Sequence, residues 1–311
     1  VSLTFFDAVW WWTQFLVLCT MQFLRTCLQS NAPARRFITH QTMRAKGNLV
    51  VTEKQGRVLL VGINRPEKRN CVDSETARQL IQAFRDFDAD DSVNVAVLHG
   101  KGGTFCAGYD LSELSEAADD SLLDEDSWPM GPSGMLTRKP TVAAVNGYAV
   151  AGGLELALWC DLRVVDETAV MGVFCRRFGV PLLDGGTVRL PALIGLSRAL
   201  DLILTGRPVS AKEALDIGLA NRVVSCGTAL GQAISLAGSI AKFPQQCVRA
   251  DRASAYHACF SSSLQEALAY ERDNGNNVLA AESIQGAQKF MSGIGRHGSF
   301  NLLHAPRKDA S

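Results

Sequence analysis

Neither sign of charge is in excess. The chain has 31 Lys and Arg against 31 Asp and Glu, a formal net charge of zero. No global field is therefore available to hold nucleic acid or an anionic membrane, and any anionic ligand must be gripped locally. The nine cysteines, at positions 19, 27, 71, 106, 160, 175, 226, 247 and 259, include no C-x-x-C pair and no metal-like spacing. They read as reduced intracellular thiols, which argues against a disulfide framework and against zinc. No phosphate-binding G-x-x-x-x-G-K-[ST] or G-x-G-x-x-G is present, so nucleotide phosphates are not indicated in the usual way. The absence of G-x-S-x-G argues against a serine hydrolase. The five histidines (40, 99, 257, 297 and 304) show no metal-ligand spacing, and each reads as structural or solvent-facing. Low complexity is also missing: 47% of residues are apolar and 20% charged over 311 residues. That is globular composition, enough for two domains or one large one.

The first 46 residues stand apart. Between Asp7 and Glu53 there is no acidic residue, while Arg25, Arg35, Arg36, Arg44 and Lys46 occur among Ser, Thr and Gln. This is the composition of a mitochondrial transit peptide. The apolar run Ala8 to Leu24 is 17 residues long, short of the roughly 20 needed to span a bilayer. No stable membrane anchor is expected. A start at Met21, with the Trp-rich stretch an upstream gene-model artefact, fits the pattern better than an anchor does. The expected location is the mitochondrial matrix, with the cytoplasm as the alternative.

From Gly47 onward the chain reads as α/β. Leu49–Thr52 and Arg57–Ile63 are β-rich runs joined as a hairpin through Glu-Lys-Gln-Gly. Ser74 reads as the N-cap of an amphipathic helix over 74–88, on which Ala77, Leu80, Ile81, Phe84 and Phe87 recur at helical spacing. Strands are expected at 94–98, 141–145 and 162–165, with a helix over 153–159. Past residue 196 successive helical patterns (197–204, 211–217) take over with no further strands expected. Apolar residues left without a sheet to cover them imply an oligomer contact. The acid-rich stretch 112–126 reads as a solvated, mobile face and a candidate flap over a site.

Two Gly-containing turns follow predicted strands: Gly102 to Asp110, and Asn146 to Glu155, the latter leading straight into a helix. Unpaired peptide N–H groups at such turns suit a developing oxyanion, although on spacing alone tight strand-to-helix connections are the better account of the glycines.

The stretch KPTVAAVNGYAVAGGLELALWCDLRVV, followed by GGTVRLPALIG and LILTGRPVSAKEALDIGLANRVV, resembles the enoyl-CoA hydratase/isomerase, or crotonase, superfamily. INRPEKRN and FCAGYDL fit its upstream motifs, and the resemblance runs from about Gly47 to about Phe300. It implies an α/β fold with a spiral core of ββα turns over 47–195, and a helical C-terminal trimerisation region over 196–311. It further implies acyl-CoA substrates and a homotrimer or homohexamer. No cofactor is expected beyond the CoA carried by the substrate, and neither a metal nor a nucleic-acid partner.

Residue by residue, the resemblance puts the oxyanion-hole amides on Tyr109 and Gly152 and the first catalytic glutamate on Glu155. The CoA-contacting segments fall along Glu67 to Asn70, where Lys68 and Arg69 suit CoA phosphates, and along Tyr109 to Leu111, which includes Asp110. The second catalytic glutamate of hydratases should fall at Cys175, a departure from the pattern, because a thiol does not substitute for a carboxylic acid in delivering a proton. The nearest acid is Asp184, which either works in the reaction or caps a helix beginning near Gly186. Two classes follow. One is an enoyl-CoA hydratase-like lyase, or an isomerase or other crotonase-type enzyme, using Glu155 alone or with Asp184. The other is a non-catalytic relative that binds acyl-CoA or RNA.

Overall fold

The computed structural model describes residues 47–116, 128–300 and 302. The chain divides into two units between Lys46 and Gly47, and all described residues lie in the second. The apolar run 8–24, the rest of the segment read as a transit peptide, His40, His304 and residues 117–127 of the acidic stretch lie outside them.

β1 (Val50–Gln55) and β2 (Val58–Ile63) form the antiparallel hairpin. The first strand runs further than its hydrophobic pattern suggests, to Gln55, with the turn at Gly56 (φ 60°). Its outer half carries charged, exposed side chains, as suits the edge of a sheet. α1 (Ser74–Ala89) follows. Its N-cap is Asp73, not Ser74: the Asp73 carboxylate accepts from the Thr76 N–H (2.8 Å) and from the Thr76 hydroxyl (2.6 Å). Next come β3 (Val95–Gly100), α2 (Leu111–Glu116), β4 (Thr141–Val145), β5 (Tyr148–Val150), α3 (Gly152–Trp159), β6 (Leu162–Asp166) and β7 (Val170–Gly172).

Two sheets result. The larger has the order β1-β2-β3-β4-β6-β9, with β9 at Arg222–Val224 and parallel from β2 onward, and the smaller has the order β5-β7-β8, with β8 at Val209–Ser210. From β4 to β7 the strands alternate between the two sheets, which is the signature of a spiral of short ββα turns. The parallel strands are buried on both faces. Leu59, Val61, Ile63 and Leu98 pack with Phe84, Phe87, Leu154 and Leu190 in the main core. The alternate residues Val58, Leu60, Val97 and Val142 meet Ala233 and Ala237 of α7 (Ala229–Ile240), whose small side chains let it lie close to the sheet.

After β7, α4 (Gly186–Ile194) and α5 (Leu196–Thr205) complete the wall around the core. The expectation of a strand-free region past 196 is corrected here. β8 (Val209–Ser210) pairs with β7, and β9 (Arg222–Val224), which follows α6 (Ala211–Asp216), closes the edge of the large sheet against β6. Runs of two or three residues are too short to display a period of two. Beyond them the regular elements among the described residues are helices: α7, α8 (Gln245–Phe260), α9 (Leu264–Val278) and α10 (Ile284–Met291), the last two joined through a π turn at Leu279–Ser283.

α8 is fastened to the core through Asp161. Its carboxylate accepts from Arg252 Nε (2.9 Å to both oxygens), from the Tyr256 hydroxyl (2.8 Å) and from the Thr141 N–H (2.7 Å). Among the described residues no helix is long and apolar enough to cross a membrane. Among them, too, no group of three or more His, Cys, Asp or Glu side chains is placed to hold a metal ion.

Candidate active site

The two Gly-containing turns lie side by side. The first runs beside β5, with Cys106 N–H donating to Tyr148 O (2.9 Å) and Val150 N–H to Cys106 O (3.2 Å). Glycine is required where the turns touch. A β-carbon on Gly108 (φ 101°) would lie 3.1 Å from Gly152 N, and one on Gly153 would lie 2.1 Å from Cys106 O. Between them Ala151 adopts φ 54°, ψ −127°, a conformation L residues rarely take, at the N-cap of α3. The amides of Tyr109 and Gly152 are left without a protein acceptor among the described residues. In the Tyr109 strand bridge the bonds are made by Val72 N–H to Gly108 O and Asp110 N–H to Val72 O, and Gly152 opens its helix.

Every residue of α3 is buried, so Glu155 enters an apolar interior and is 2% exposed. Its Oε1 accepts from Asp184 N–H (2.9 Å) and Gly186 N–H (2.8 Å), the amides that open α4. A β-carbon on Gly186 would lie 2.8 Å from that oxygen, so any larger residue there would displace the Glu155 carboxyl. Oε2 has no hydrogen-bond partner among the described residues. Burial raises the carboxyl to about 7, and the Gly186 amide only partly offsets this.

Asp184 does not cap α4, whose N-cap is Gly185. Its side chain turns to the 130–133 segment, where Oδ1 accepts from Met130 N–H (3.0 Å) and from the Ser133 hydroxyl (2.5 Å), and burial raises its carboxyl too. Arg189 braces the loop by donating to Asp184 O (3.0 Å) and Ser133 O (2.7 Å). Cys175 sits on the short turn Phe174–Phe178, buried, with its thiol pushed up by burial and by the charge of Glu155.

Tyr109, Gly152, Glu155, Cys175 and Asp184 line one cavity of ≈ 680 Å³, within the range of small-molecule sites. Leu111 also lines it, together with Arg78 at the end toward α1. Lys68, Arg69 and Asp110 do not. Asp110 is instead the buried centre of an ion-pair cluster, 2.8 Å from Arg65 Nη2 and 2.8 Å from Lys68 Nζ. Burial alone would raise its carboxyl, but hydrogen bonds from Lys68, Ser112 and Arg65 outweigh it and hold the group below the usual carboxylate range. Lys68, half-exposed, donates to Asp110 and, at 3.3 Å, to the Ser112 hydroxyl. The ion pair of Arg65 and the bracing role of Asn70 were not foreseen in this loop. Buried Asn70 accepts from Arg65 N–H and donates to Thr104 O and Lys101 O, tying the 65–70 loop to the first Gly turn. Met130 and Ser133 went unforeseen as well, because partners 54 and 51 residues from Asp184 leave no local signal. The glycine pair 185–186 was the one readable sign that something approaches that loop closely.

A family model described as enoyl-CoA hydratase/isomerase matches residues 53–294. A Dictyostelium discoideum protein named "Probable enoyl-CoA hydratase, mitochondrial" is 34% identical over 251 residues, covering 81% of this chain and 88% of that protein. Enoyl-CoA hydratase EchA19 of Mycobacterium tuberculosis is 37% identical over 197 residues, 61% of this chain and 73% of its own length. The crystal structure of enoyl-CoA hydratase from Mycobacterium tuberculosis H37Rv superposes with a TM-score of 0.74 at 33% identity, covering 78% of this chain and 96% of that one.

Proposed function

We propose, from the premise that the chain belongs to the enoyl-CoA hydratase/isomerase family, that the cavity adds water across the C2–C3 double bond of a 2-enoyl-CoA thioester. The chain is a hydratase-like acyl-CoA-processing enzyme, and its own residues supply the roles. The thioester oxygen lies between the amides of Tyr109 and Gly152. As water attacks C3, negative charge moves onto that oxygen, and the two donors stabilise it without rearranging. Glu155 takes the proton of the attacking water through Oε2, while Oε1 stays fixed by the amides of Asp184 and Gly186. Protonation of C2 completes the addition, from Glu155 itself or from Asp184.

The observation that carries this reading is the position of Glu155. A carboxyl raised to about 7 changes charge near neutral pH, and it shares a cavity with two unoccupied amides. Cys175 at the place of a second acid, with Asp184 in the same cavity, also favours a double-bond isomerase that moves a proton from C2 to C4 of a 3-enoyl thioester through the same two carboxyls. Hydration of crotonyl-CoA, followed by loss of its enoyl-thioester absorbance, tests the assignment. Glu155→Gln should lower turnover on the order of a hundredfold or more, and a folded variant turning over at the wild-type rate would exclude Glu155. Conversion of 3-enoyl to 2-enoyl-CoA without hydration would favour the isomerase.

The substrate supplies the CoA, and the chemistry needs no other cofactor and no nucleic acid. The name of the Dictyostelium relative and the acid-free, Arg-bearing segment before Glu53 support a mitochondrial matrix location. Assembly as a trimer or hexamer is supported by apolar side chains left exposed on the C-terminal helices.

A further inference from the structure

We propose that the Cys175 thiol is a second nucleophile of the catalytic cavity, adding to C3 of unhindered 2-enoyl-CoA thioesters to give a thioether adduct on the protein. The inference rests on the 2-enoyl-CoA reading above.

Cys175 is buried and lines the same cavity as Glu155, Gly152 and Tyr109. Cys106 and Cys160 are buried too, but neither lines it. A base is already in place. Glu155 is 2% exposed, and its Oε2 has no partner among the described residues although the side chain borders open space. Whatever brings an enoyl thioester between the two amides therefore brings its electrophilic carbon into a chamber holding both a base and a thiol. Water has no monopoly on addition there, and sulfur losing its proton to Glu155 as it adds is much the stronger nucleophile.

The step balances with the groups present. The S–H proton passes to the ionised Glu155 as sulfur bonds to C3, and the π pair of C2=C3 moves toward the thioester oxygen as an enolate. Glu155 then returns the proton to C2. One S–H bond and one π bond are lost, one C–S and one C–H bond are formed, and the CoA thioester stays intact. No oxidant or leaving group is required. The reverse elimination frees the enzyme, so the adduct is a reversible brake set by the level of small, unsubstituted enoyl thioesters. A substituent on C3 hinders approach of the larger sulfur more than that of water.

Acryloyl-CoA, whose C3 is unsubstituted, is the probe, with butyryl-CoA as the saturated competitor. Intact-mass measurement and peptide mapping of the full chain should find one acryloyl-CoA on Cys175. Excess butyryl-CoA should slow this labelling at least tenfold, while leaving any labelling of the exposed Cys226, Cys247 and Cys259 unchanged. Cys175→Ser, checked for butyryl-CoA binding by calorimetry, should lose the protectable adduct. If wild type binds butyryl-CoA yet Cys175 stays unlabelled, or is labelled no differently with the competitor present, the thiol is not a nucleophile of the cavity. Failure of butyryl-CoA to bind at all would overturn the acyl-CoA reading and this inference with it.

Discussion

At the scale of single residues, the site turns on a carboxyl group placed where carboxylates are costly. The folded-state value of Glu155, about 7, lies above the ordinary 4.5, so ionisation opposes folding. Below pH 4.5 the group is neutral in both states and carries no penalty. As pH rises from 4.5 to 7 the unfolded chain loses its proton first, and stability falls by about 3 kcal/mol before levelling off. Glu155→Gln keeps an oxygen for the two amides and removes the charge. Denaturant melts should therefore show the variant gaining on wild type across that interval and matching it below pH 4.5. In the opposite direction, kcat/KM of wild type should rise with pH to a plateau above 7, because the ionised form is the base. A stability difference that does not change with pH would mean that burial does not govern this group.

The same scale holds the question of the second acid. With a thiol at 175, hydration of straight-chain enoyl-CoAs should be slow beside two-glutamate relatives. Cys175→Glu should raise it on the order of a hundredfold, and Asp184→Asn, which keeps its Oδ1 acceptor, should lower it by a similar factor if Asp184 donates the proton. Fast crotonyl-CoA hydration that ignores Asp184→Asn would leave Glu155 working alone.

At the scale of elements, α8 is held to the core by one buried polar cluster. Replacing Arg252 with Ala leaves Asp161 with the Tyr256 hydroxyl and the Thr141 amide but without its charge partner, and removes the donor to Thr137 O (2.5 Å). Loss of one side of such a pair costs about 3 kcal/mol, so the urea midpoint should fall markedly. Crotonyl-CoA turnover by the surviving folded fraction should hold, since Arg252 does not line the catalytic cavity; an unchanged midpoint would make the cluster ornamental. Elements of this size also mark what the amino-acid order reveals by itself. β4 was readable to the residue because Thr141–Val145 is a buried β-branched run between a proline and an Asn-Gly turn. The Asp73 cap was displaced by one residue, because Ser74 is as good a candidate until the Thr76 bond is seen. β8 and β9 exist only through their partners, β7 and β6. Among site residues, the Gly turns and Glu155 announce themselves by motif. The grip of Met130 and Ser133 on Asp184, and of Arg65 on Asp110, is tertiary and leaves no periodic trace.

At the scale of the whole molecule, the distribution of apolar surface is uneven. The spiral core buries Phe84, Phe87, Phe105 and Leu98 fully, and its exposed apolar side chains, such as Leu136, Phe178 and Val188, stand at separate places along the chain. On the C-terminal helices Leu264, Leu268, Leu279, Ile284, Phe290 and Met291 are each more than half exposed. Scattered apolar residues on a surface need no explanation, but these six recur along consecutive helices from α9 to α10, and a band of that kind marks an association surface. Closed symmetry is the economical way to cover it, because identical chains bury identical bands without leaving an open end. Light scattering on protein beginning near Ala45 should therefore give three or six times the chain mass at micromolar concentration. Charged substitutions at the band, Leu268→Asp with Phe290→Lys, should shift it to monomer while the circular dichroism of the core persists. The catalytic cavity is lined from elements of the spiral and none of its residues comes from α9 or α10, so acyl-CoA binding should survive dissociation. A wild-type monomer at those concentrations would show that the band is covered some other way, and binding lost together with assembly would show that a neighbouring chain completes the site.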